Sequence, residues 1–267
     1  VSKAWQQFLQ QPEEKVFIRQ LRVKLRRLRS TLSFFKPVLQ RSSAVAWQNT
    51  LRQQGELLSR LRELDVALMT CEKIRSQAAA SGGKLTAPTQ VEELLQKLRR
   101  EEAAACLQKA DLSCVTKTLA QFNIWLHERP LTPNLADKKL RKFISRRLNE
   151  WSEKLETLDK KYPDFHNMLE LHQIRIKVKR FRYALQTLPE VPRDSNLLRR
   201  LKRLQDMLGF LHDDFINARL VQCFLEDTAN VQLRYEAGLF AGWERAKAEA
   251  AVEMLPQLWE DFCGALN

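Results

Sequence analysis

A basic, leucine-rich stretch of eleven residues occurs twice in this chain, and this repeat limits the folds that the chain can adopt. The first copy reads RQLRVKLRRLR at residues 19–29, and the second reads HQIRIKVKRFR at residues 172–182, in the same register. Neither copy contains an acidic residue. Apolar residues recur every three or four positions in both copies. This spacing predicts two amphipathic α-helices.

Each predicted helix carries a basic row beside its apolar face, turned by about 100° around the helix axis. The apolar faces consist of Ile18, Leu21, Leu25, Leu28 and Leu32 in the first copy, and of Ile174, Val178, Phe181 and Leu185 in the second. The basic rows consist of Arg19, Arg22, Arg26 and Arg29 in the first copy, and of His172, Arg175, Lys179 and Arg182 in the second.

The basic rows are typical of a binding site for a long polyanion. A row of this kind spans roughly 15 Å at about 1.5 Å of rise per residue. The planar guanidinium of Arg grips phosphate oxygens with two parallel hydrogen bonds, whereas Lys acts as a point charge. A solvated helix face is the alternative explanation, but such a face usually intersperses acidic residues that pair with the basic ones. Two acid-free copies in register therefore favour a phosphate site.

The composition points to a helical protein with an acidic partner. Hydrophobic residues make up 44% of the 267 residues, enough for a sizeable core, and only 7 Gly and 9 Pro occur. The net charge is +13 and the pI is near 9.7. This excess predicts nucleic acid, an anionic membrane surface or polyphosphate as the partner.

Cysteine usage and the terminal sequence give expectations about the compartment. The five cysteines show no CxxC spacing, so we expect reduced cysteines and no metal site. No signal segment and no apolar run long enough to cross a bilayer occurs, which predicts a cytoplasmic protein without a membrane span. The chain begins with Val1 rather than Met, which is compatible with a true terminus as well as with a cut from a longer chain.

Apolar periodicity predicts helices along most of the chain and no β-strand. The expected helices cover about 13–35, 44–80, 89–128, 134–160, 165–188, 197–226 and 230–266. Gly55 and residues 110–111 are expected interruptions, and Pro256 falls in the last segment. Residues 162–164 are expected to cap the second basic helix, and Asp194 or Ser195 the helix that follows it. Loops are expected at 81–88, 129–133 and 189–192.

The internal repeat extends beyond the basic stretch. Residues 58–66 (LSRLRELDV) align with residues 208–216 (LGFLHDDFI). Each half of the chain thus contains a basic helix followed by a leucine-rich helix with acidic positions. This predicts two similar halves, 1–130 and 131–267, related by a pseudo-twofold axis. Placed side by side, the two basic rows would share one groove or central channel.

The doubled basic motif resembles the CHAD family, the conserved histidine α-helical domain. Its pattern, roughly H-x-x-R-x-x-x-[RK]-R-x-R, is met by His172, Arg175, Lys179, Arg180 and Arg182. The first copy meets it at Arg22, Arg26, Arg27 and Arg29, with Arg19 at the usual histidine position. Residues 201–209 (LKRLQDMLG) also resemble the second-half signature of the family.

The resemblance covers nearly the whole chain and implies a single CHAD domain over residues 1–267. It implies an all-α fold of two pseudo-symmetric four-helix-type bundles packed around a central basic groove. It further implies binding of inorganic polyphosphate along a basic surface between the two halves, and association with polyphosphate granules in some bacteria. Members of this family occur alone or after a CYTH-type triphosphatase domain.

We expect a binding site without catalytic residues, metal ligands or cofactors. The candidate polyphosphate-binding residues are Arg19, Arg22, Arg26, Arg27, Arg29, His172, Arg175, Lys179, Arg180 and Arg182, flanked by Lys139, Lys142, Arg146, Arg199 and Lys202. His172 is expected to donate to phosphate or to have a structural role. His212 beside two aspartates resembles a metal ligand, but without a partner cluster it is expected to be structural. The acidic residues Glu63, Asp65, Asp213 and Asp214 are expected to pair with the arginines and orient them.

Three functions follow in order of preference. The first is a non-catalytic module that binds inorganic polyphosphate. The second is a phosphohydrolase or the C-terminal fragment of a CYTH-type triphosphatase, although the chain lacks the Glu-x-Glu-x-Lys stretch of that class. The third is a nucleic-acid binder, for which the charge suffices, although no helix-turn-helix, zinc-finger or RRM signature accompanies it. Weak binding of nucleic acid is compatible with the first function.

Overall fold

The fold is all-α, as the sequence predicts. A computed structural model describes residues 1–39, 41–80, 89–109, 112–128, 137–161, 165–188, 195–227 and 229–266, and these ranges contain no β-strand. The α-helices are α1 (Ser2–Gln10), α2 (Lys15–Phe35), α3 (Arg41–Glu56), α4 (Ser59–Ala80), α5 (Gln90–Lys109), α6 (Leu112–His127), α7 (Asp137–Glu156), α8 (Leu158–Lys161), α9 (Met168–Thr187), α10 (Ser195–Asp227) and α11 (Val231–Cys263).

Helix α2 contains the first basic stretch and ends at Phe35, as expected. A short 3₁₀-helix, Lys36–Val38, follows because Pro37 has no amide hydrogen to continue the α-helical ladder. The expected helix over 44–80 is two helices, α3 and α4. A turn at residues 57–58 separates these two helices, and Gly55 lies within α3 rather than in the turn.

Helix α9 contains the second basic stretch, and its start differs from the expectation. Its N-cap is Asn167, whose side chain accepts hydrogen bonds from the backbone N–H groups of Leu169 and Glu170. The expected cap at residues 162–164 lies outside the described residues. The observed N-cap, Asn167, comes three positions after residue 164. Ser195 is already the first residue of α10. The expected loops at 81–88, 110–111, 129–133 and 189–192 also lie outside the described residues.

The last segment forms one continuous helix of 33 residues, α11, with Pro256 inside it. Together with the equally long α10 it reaches from the second half of the chain to the first. Leu220 and Val221 of α10 and Phe240 of α11 are buried against Leu64 and Leu95 of α4 and α5. The two expected halves, 1–130 and 131–267, therefore share a buried interface, and their pseudo-symmetry stays a prediction.

The apolar faces of the two basic helices are buried, as predicted. Ile18 and Leu21 are at most 1% exposed within the first-half core, and Ile174 and Val178 are equally buried within the second-half core. Where α2 and α9 contact each other, the hydroxyl of buried Ser30 donates to the backbone carbonyl of Arg180 at 2.9 Å. The small Ser30 side chain lets the helices approach closely, which brings their basic rows together.

Two further findings concern the cysteines and the possibility of a membrane-spanning helix. Among the described cysteines, Cys71, Cys106 and Cys263 form no disulfide. No helix in the described ranges has both the length and the apolar character that a membrane crossing requires.

Candidate functional site

Two adjoining cavities lie along the contact between α2 and α9. The first, of about 170 Å³, is lined by residues of α2, α4, α9 and α10, and the second, of about 220 Å³, by residues of α2, α3 and α9. Arg26, Arg175 and Lys179 line both cavities, so the two spaces meet at these three side chains. We call the combined space the basic groove.

The basic groove has a large excess of positive charge. Its cationic residues are Arg19, Arg22, Arg26, Arg29, Arg62, Arg175, Lys179 and Arg180. Among the described residues, the acidic ones in the lining are Glu63 and Asp213, both in the first cavity, and none lines the second cavity. The two basic rows that the sequence predicts thus contribute to one groove.

Several arginines of the groove keep unused hydrogen-bond donors. The Nε atoms of Arg22, Arg26 and Arg175 are buried and have no hydrogen-bond partner among the described residues. The Nη1 atom of Arg22 donates to the backbone carbonyl of Gly55 at 2.6 Å and to the hydroxyl of Ser59 at 3.1 Å. These contacts hold the guanidinium in place. Buried donors normally have partners, and these unpaired ones belong to side chains that line the groove.

Burial and mutual repulsion destabilise the charged forms of the groove cations. Burial, followed by the repulsion from Arg26, lowers the pKa of Arg22 to about 10. The pKa of Arg175 is also lowered to about 10, chiefly by burial. The ammonium of Lys179, buried beside Arg175 and Arg26, has its pKa lowered to about 7. A bound anion would favour these charged forms, because an opposite charge stabilises them.

The acidic residues take different roles from one another. Burial raises the pKa of Asp213, although Arg175 and Lys179 favour its ionised form. Asp213 lines the first cavity beside these cations, and the expectation that it pairs with the arginines stays a prediction. Asp65 instead forms a buried ion pair with Arg99 of α5, Nε to Oδ1 at 2.7 Å. Contrary to the expectation, the arginine with which Asp65 pairs lies on α5 and belongs to neither basic row.

His172 and His212 form a pair at one end of the groove. Their Nδ1 atoms are 3.4 Å apart, and together with Arg175 they line a small cavity of about 220 Å³ between α9 and α10. Burial, and then the repulsion from Arg175, lowers the pKa of both imidazoles, that of His212 to about 3. His212, expected to be structural, is thus the partner of His172. Among the described residues no three His, Cys, Asp or Glu side chains cluster as metal ligands would.

The remaining candidate residues lie away from the groove lining. The guanidinium of Arg27 lies 6.0 Å from the ring centroid of Tyr183, and half-buried Arg182 follows on α9. Arg146 pairs with Glu150 at 3.7 Å, and Arg199 donates to Asn196 at 3.0 Å. The five flanking candidates are all exposed and lie outside the groove lining: Lys139, Lys142, Arg146, Arg199 and Lys202.

Sequence reasoning missed Arg62, Ser59 and Gln48 as lining residues of the groove. A usable signal existed for Arg62, because it lies in the second repeated segment. The groove-lining positions Arg62, Glu63 and Val66 align with His212, Asp213 and Ile216, which line the same cavity from α10. The repeated segment thus supplies equivalent positions to the first cavity from both halves of the chain.

Comparisons with known proteins agree with this architecture. A family model described as CHAD domain matches residues 2–222. PptA from Streptomyces chartreusis aligns with a TM-score of 0.73 and 19% sequence identity, covering 97% of this chain and 94% of that chain. The CHAD domain from the plant Ricinus communis aligns with a TM-score of 0.72 and 22% identity, covering 92% and 82%. At these identities the likeness shows the fold. A comparison with curated proteins finds no match.

Proposed function

Because the chain belongs to the CHAD domain family, a family associated with polyphosphate binding, we propose that its basic groove binds inorganic polyphosphate. The observation that carries the proposal is the meeting of both basic rows in one groove, at Arg26, Arg175 and Lys179. Linear polyphosphate bears a charge on every unit, so it can follow the groove from the first cavity into the second.

The chemistry of the lining favours phosphate chains over single carboxylates. Arginine forks grip two oxygens of a phosphate group at once. Arg22 and Arg26 line the groove from α2 and Arg175 lines it from α9, so a ligand between them contacts guanidinium groups of both helices. Binding also offsets the repulsion between these half-buried cations. This electrostatic stabilisation is larger in partly desolvated surroundings than in bulk water.

We further propose that the groove holds polyphosphate without cleaving it. CHAD domains are generally binding modules. Prolonged incubation with long-chain polyphosphate should release no orthophosphate above the buffer control, in the presence or absence of Mg²⁺. Steady release that disappears in a groove variant would instead support the phosphohydrolase alternative.

A competition titration tests the proposal. Labelled long-chain polyphosphate is bound at about 0.15 M salt, where surface attraction is screened, and is then challenged with duplex DNA, RNA and short phosphates. We expect that long polyphosphate alone competes efficiently. Equal displacement by nucleic acid would contradict the proposal and favour the nucleic-acid alternative.

A matched pair of variants separates the groove from general charge. The triple substitution Arg22→Glu, Arg26→Glu and Arg175→Glu should abolish binding while circular dichroism shows unchanged helicity. The control, Lys97→Glu, Arg100→Glu and Lys117→Glu, changes the net charge equally at exposed positions of α5 and α6. The control should retain binding. Similar losses in both variants would show that the attraction is generic.

The proposal extends to the cell. We expect a fluorescent fusion of the chain to collect on polyphosphate granules in a cytoplasm that accumulates them, and the groove variant to stay dispersed. A fusion that ignores the granules while binding polyphosphate in solution would restrict the proposal to the soluble ligand.

A further inference from the structure

A further cavity, of about 470 Å³, opens beside the basic groove and differs from it in character. We call it the apolar cavity. Its walls come from the end of α2, from α7 and α8, and from α9. Trp151, Leu155, Leu158 and Phe181 supply apolar surface. The volume lies in the range of sites for small organic ligands.

The apolar cavity is rimmed by cations, and the described residues that line it include no acidic one. The cationic lining residues are Lys36, Arg147, Lys154, Lys177 and Arg180. Glu150 lies outside the lining and neutralises Arg147 through an ion pair of 2.6 Å, but Lys154 and Arg180 extend to solvent. An apolar pocket with a cationic rim fits a ligand that has an apolar body and an anionic end.

The apolar cavity and the basic groove are continuous. Ser33 and Arg180 line both the apolar cavity and the second cavity of the groove. A phosphate group at Arg180 would therefore stand at the entrance to the groove, with Arg29 as the next cation on α2. A chain of phosphates attached to an apolar body can thus occupy both spaces at once.

The aromatic wall of the apolar cavity is held in a fixed orientation. The ring of Trp151 packs edge-on against Phe34, with centroids 5.3 Å apart at 76°, and the guanidinium of Arg147 lies 5.7 Å from its centroid. A fixed indole suits stacking with a flat aromatic ring. The hydroxyls of Ser33 and Thr157 add hydrogen-bonding groups to the lining.

We propose that the apolar cavity binds the nucleoside of a nucleoside triphosphate, whose phosphates pass Arg180 into the basic groove. A planar, polar-edged base matches the indole of Trp151, and its edge can hydrogen-bond with the hydroxyls of Ser33 and Thr157, of which Thr157 also donates to the backbone carbonyls of Glu153 and Lys154 at 3.4 Å. This inference rests on the proposed function only in treating the groove as a phosphate site.

Calorimetric titration with ATP and with inorganic triphosphate at about 0.15 M salt tests the inference. Inorganic triphosphate carries at least as much negative charge as ATP, so charge alone gives the nucleotide no advantage. We expect ATP to bind ~10-fold more tightly, the effect of one well-stacked base. Equal or weaker binding of ATP, with long polyphosphate still bound, overturns this inference and leaves the proposed function intact. Absence of all phosphate binding overturns both.

Filling the apolar cavity provides the matched variant. Thr157 is exposed and lies between α7 and α8, so Thr157→Trp places a ring in the cavity without removing a core side chain. We expect this variant to lose the advantage of ATP while its affinity for inorganic triphosphate stays unchanged. The control Ser145→Trp, at an exposed position of α7, should behave as the wild type. Retained ATP preference in Thr157→Trp overturns the inference, as does displacement of ATP by a lower concentration of dodecyl phosphate.

Discussion

The imidazoles of His172 and His212 face each other across α9 and α10, with their Nδ1 atoms 3.4 Å apart and their ring centroids 5.0 Å apart. Two Nδ1–H groups cannot point at each other at this distance, so one ring donates and the other accepts. Burial disfavours an additional proton on either ring, and the repulsion from Arg175 adds to this effect. The pair is therefore neutral, with the two rings in opposite tautomers.

The neutral pair can be tested by histidine NMR. In ¹⁵N-edited spectra recorded from pH 8 to pH 5, we expect His212 to show no titration, because its pKa of about 3 lies below this range. One ring should show the Nδ1–H tautomer and the other the Nε2–H tautomer. Substitution by Asn at either position assigns the signals, and a histidine peptide titrating near 6.5 serves as reference. A midpoint for His212 close to that of the peptide would contradict the arrangement.

Lys179 should make polyphosphate affinity depend on pH. Its pKa is about 7 in the unliganded groove, and a polyanion beside it must raise that value. The complex then holds more protons than the unliganded protein above pH 7. Affinity should be constant below about pH 6 and should fall as the pH rises from 7 towards 9.

Titrations of polyphosphate at several pH values measure this dependence. The variant Lys179→Arg keeps its charge over the whole range, so it should bind with a flatter pH profile than the wild type. At pH 6 the two proteins should have similar affinities. Parallel profiles for both proteins would show that Lys179 is charged in the unliganded groove at neutral pH.

The sequence predicts the helices and their buried faces well, because apolar periodicity directly encodes which side of a helix is covered. Ile18, Leu21 and Val178 are all buried as expected. Helix α1 was not predicted, because a nine-residue helix contains few repeats of the helical spacing of apolar residues. Its Trp5 and Phe8 are nevertheless buried in the first-half core.

The candidate site is only partly predictable, because its details depend on packing between distant segments. The basic rows are visible in the sequence, and the repeat predicts that they share a groove. The contact of His172 with His212 joins residues 40 positions apart and follows from the packing of α10 on α9. The lowered pKa of Lys179 likewise depends on burial and on neighbours from α2, which no local pattern encodes.

A buried ion pair joins three segments of the first half and gives a stability prediction. Arg99 is 5% exposed, and besides Asp65 it contacts Glu13 and the backbone carbonyl of Pro12. Replacing Arg99 by Leu would leave the fully buried Asp65 without its partner. We expect the free energy of unfolding to fall by about 3–5 kcal/mol in urea titrations.

Two further variants separate the buried partner from the exposed one. Adding Asp65→Asn to Arg99→Leu should recover part of the loss, because no buried charge is then left unpaired. Glu13→Gln should cost less than about 1 kcal/mol, because the Glu13 side chain is 67% exposed and its ion pair is screened by water. A loss in Glu13→Gln as large as that in Arg99→Leu would show that the exposed contact dominates.

Glu244 of α11 should make the protein less stable at alkaline pH. Its carboxyl group is buried between α4, α10 and α11, where Asn217 donates to its Oε1 at 3.1 Å. Burial, and then the neighbouring Asp214 with a smaller effect from Asp213, raises its pKa to about 8, while the hydrogen bonds of Asn217 and Thr70 oppose the shift. The native state therefore holds a proton that the unfolded state releases above about 4.5. Stability should fall as the pH rises from about 4.5 to 8 and should then level off.

The variant Glu244→Gln isolates this effect, because Gln imitates the protonated carboxyl at every pH. Urea unfolding of both proteins from pH 5 to pH 9 gives the difference in their free energies of unfolding, in which the contributions of all other titrating groups cancel. We expect the variant to be the more stable protein at pH 9, and its advantage to shrink steadily towards pH 5. A constant difference over this range would mean that Glu244 is ionised in the native core, in which case Asn217 and Thr70 suffice to stabilise its charge.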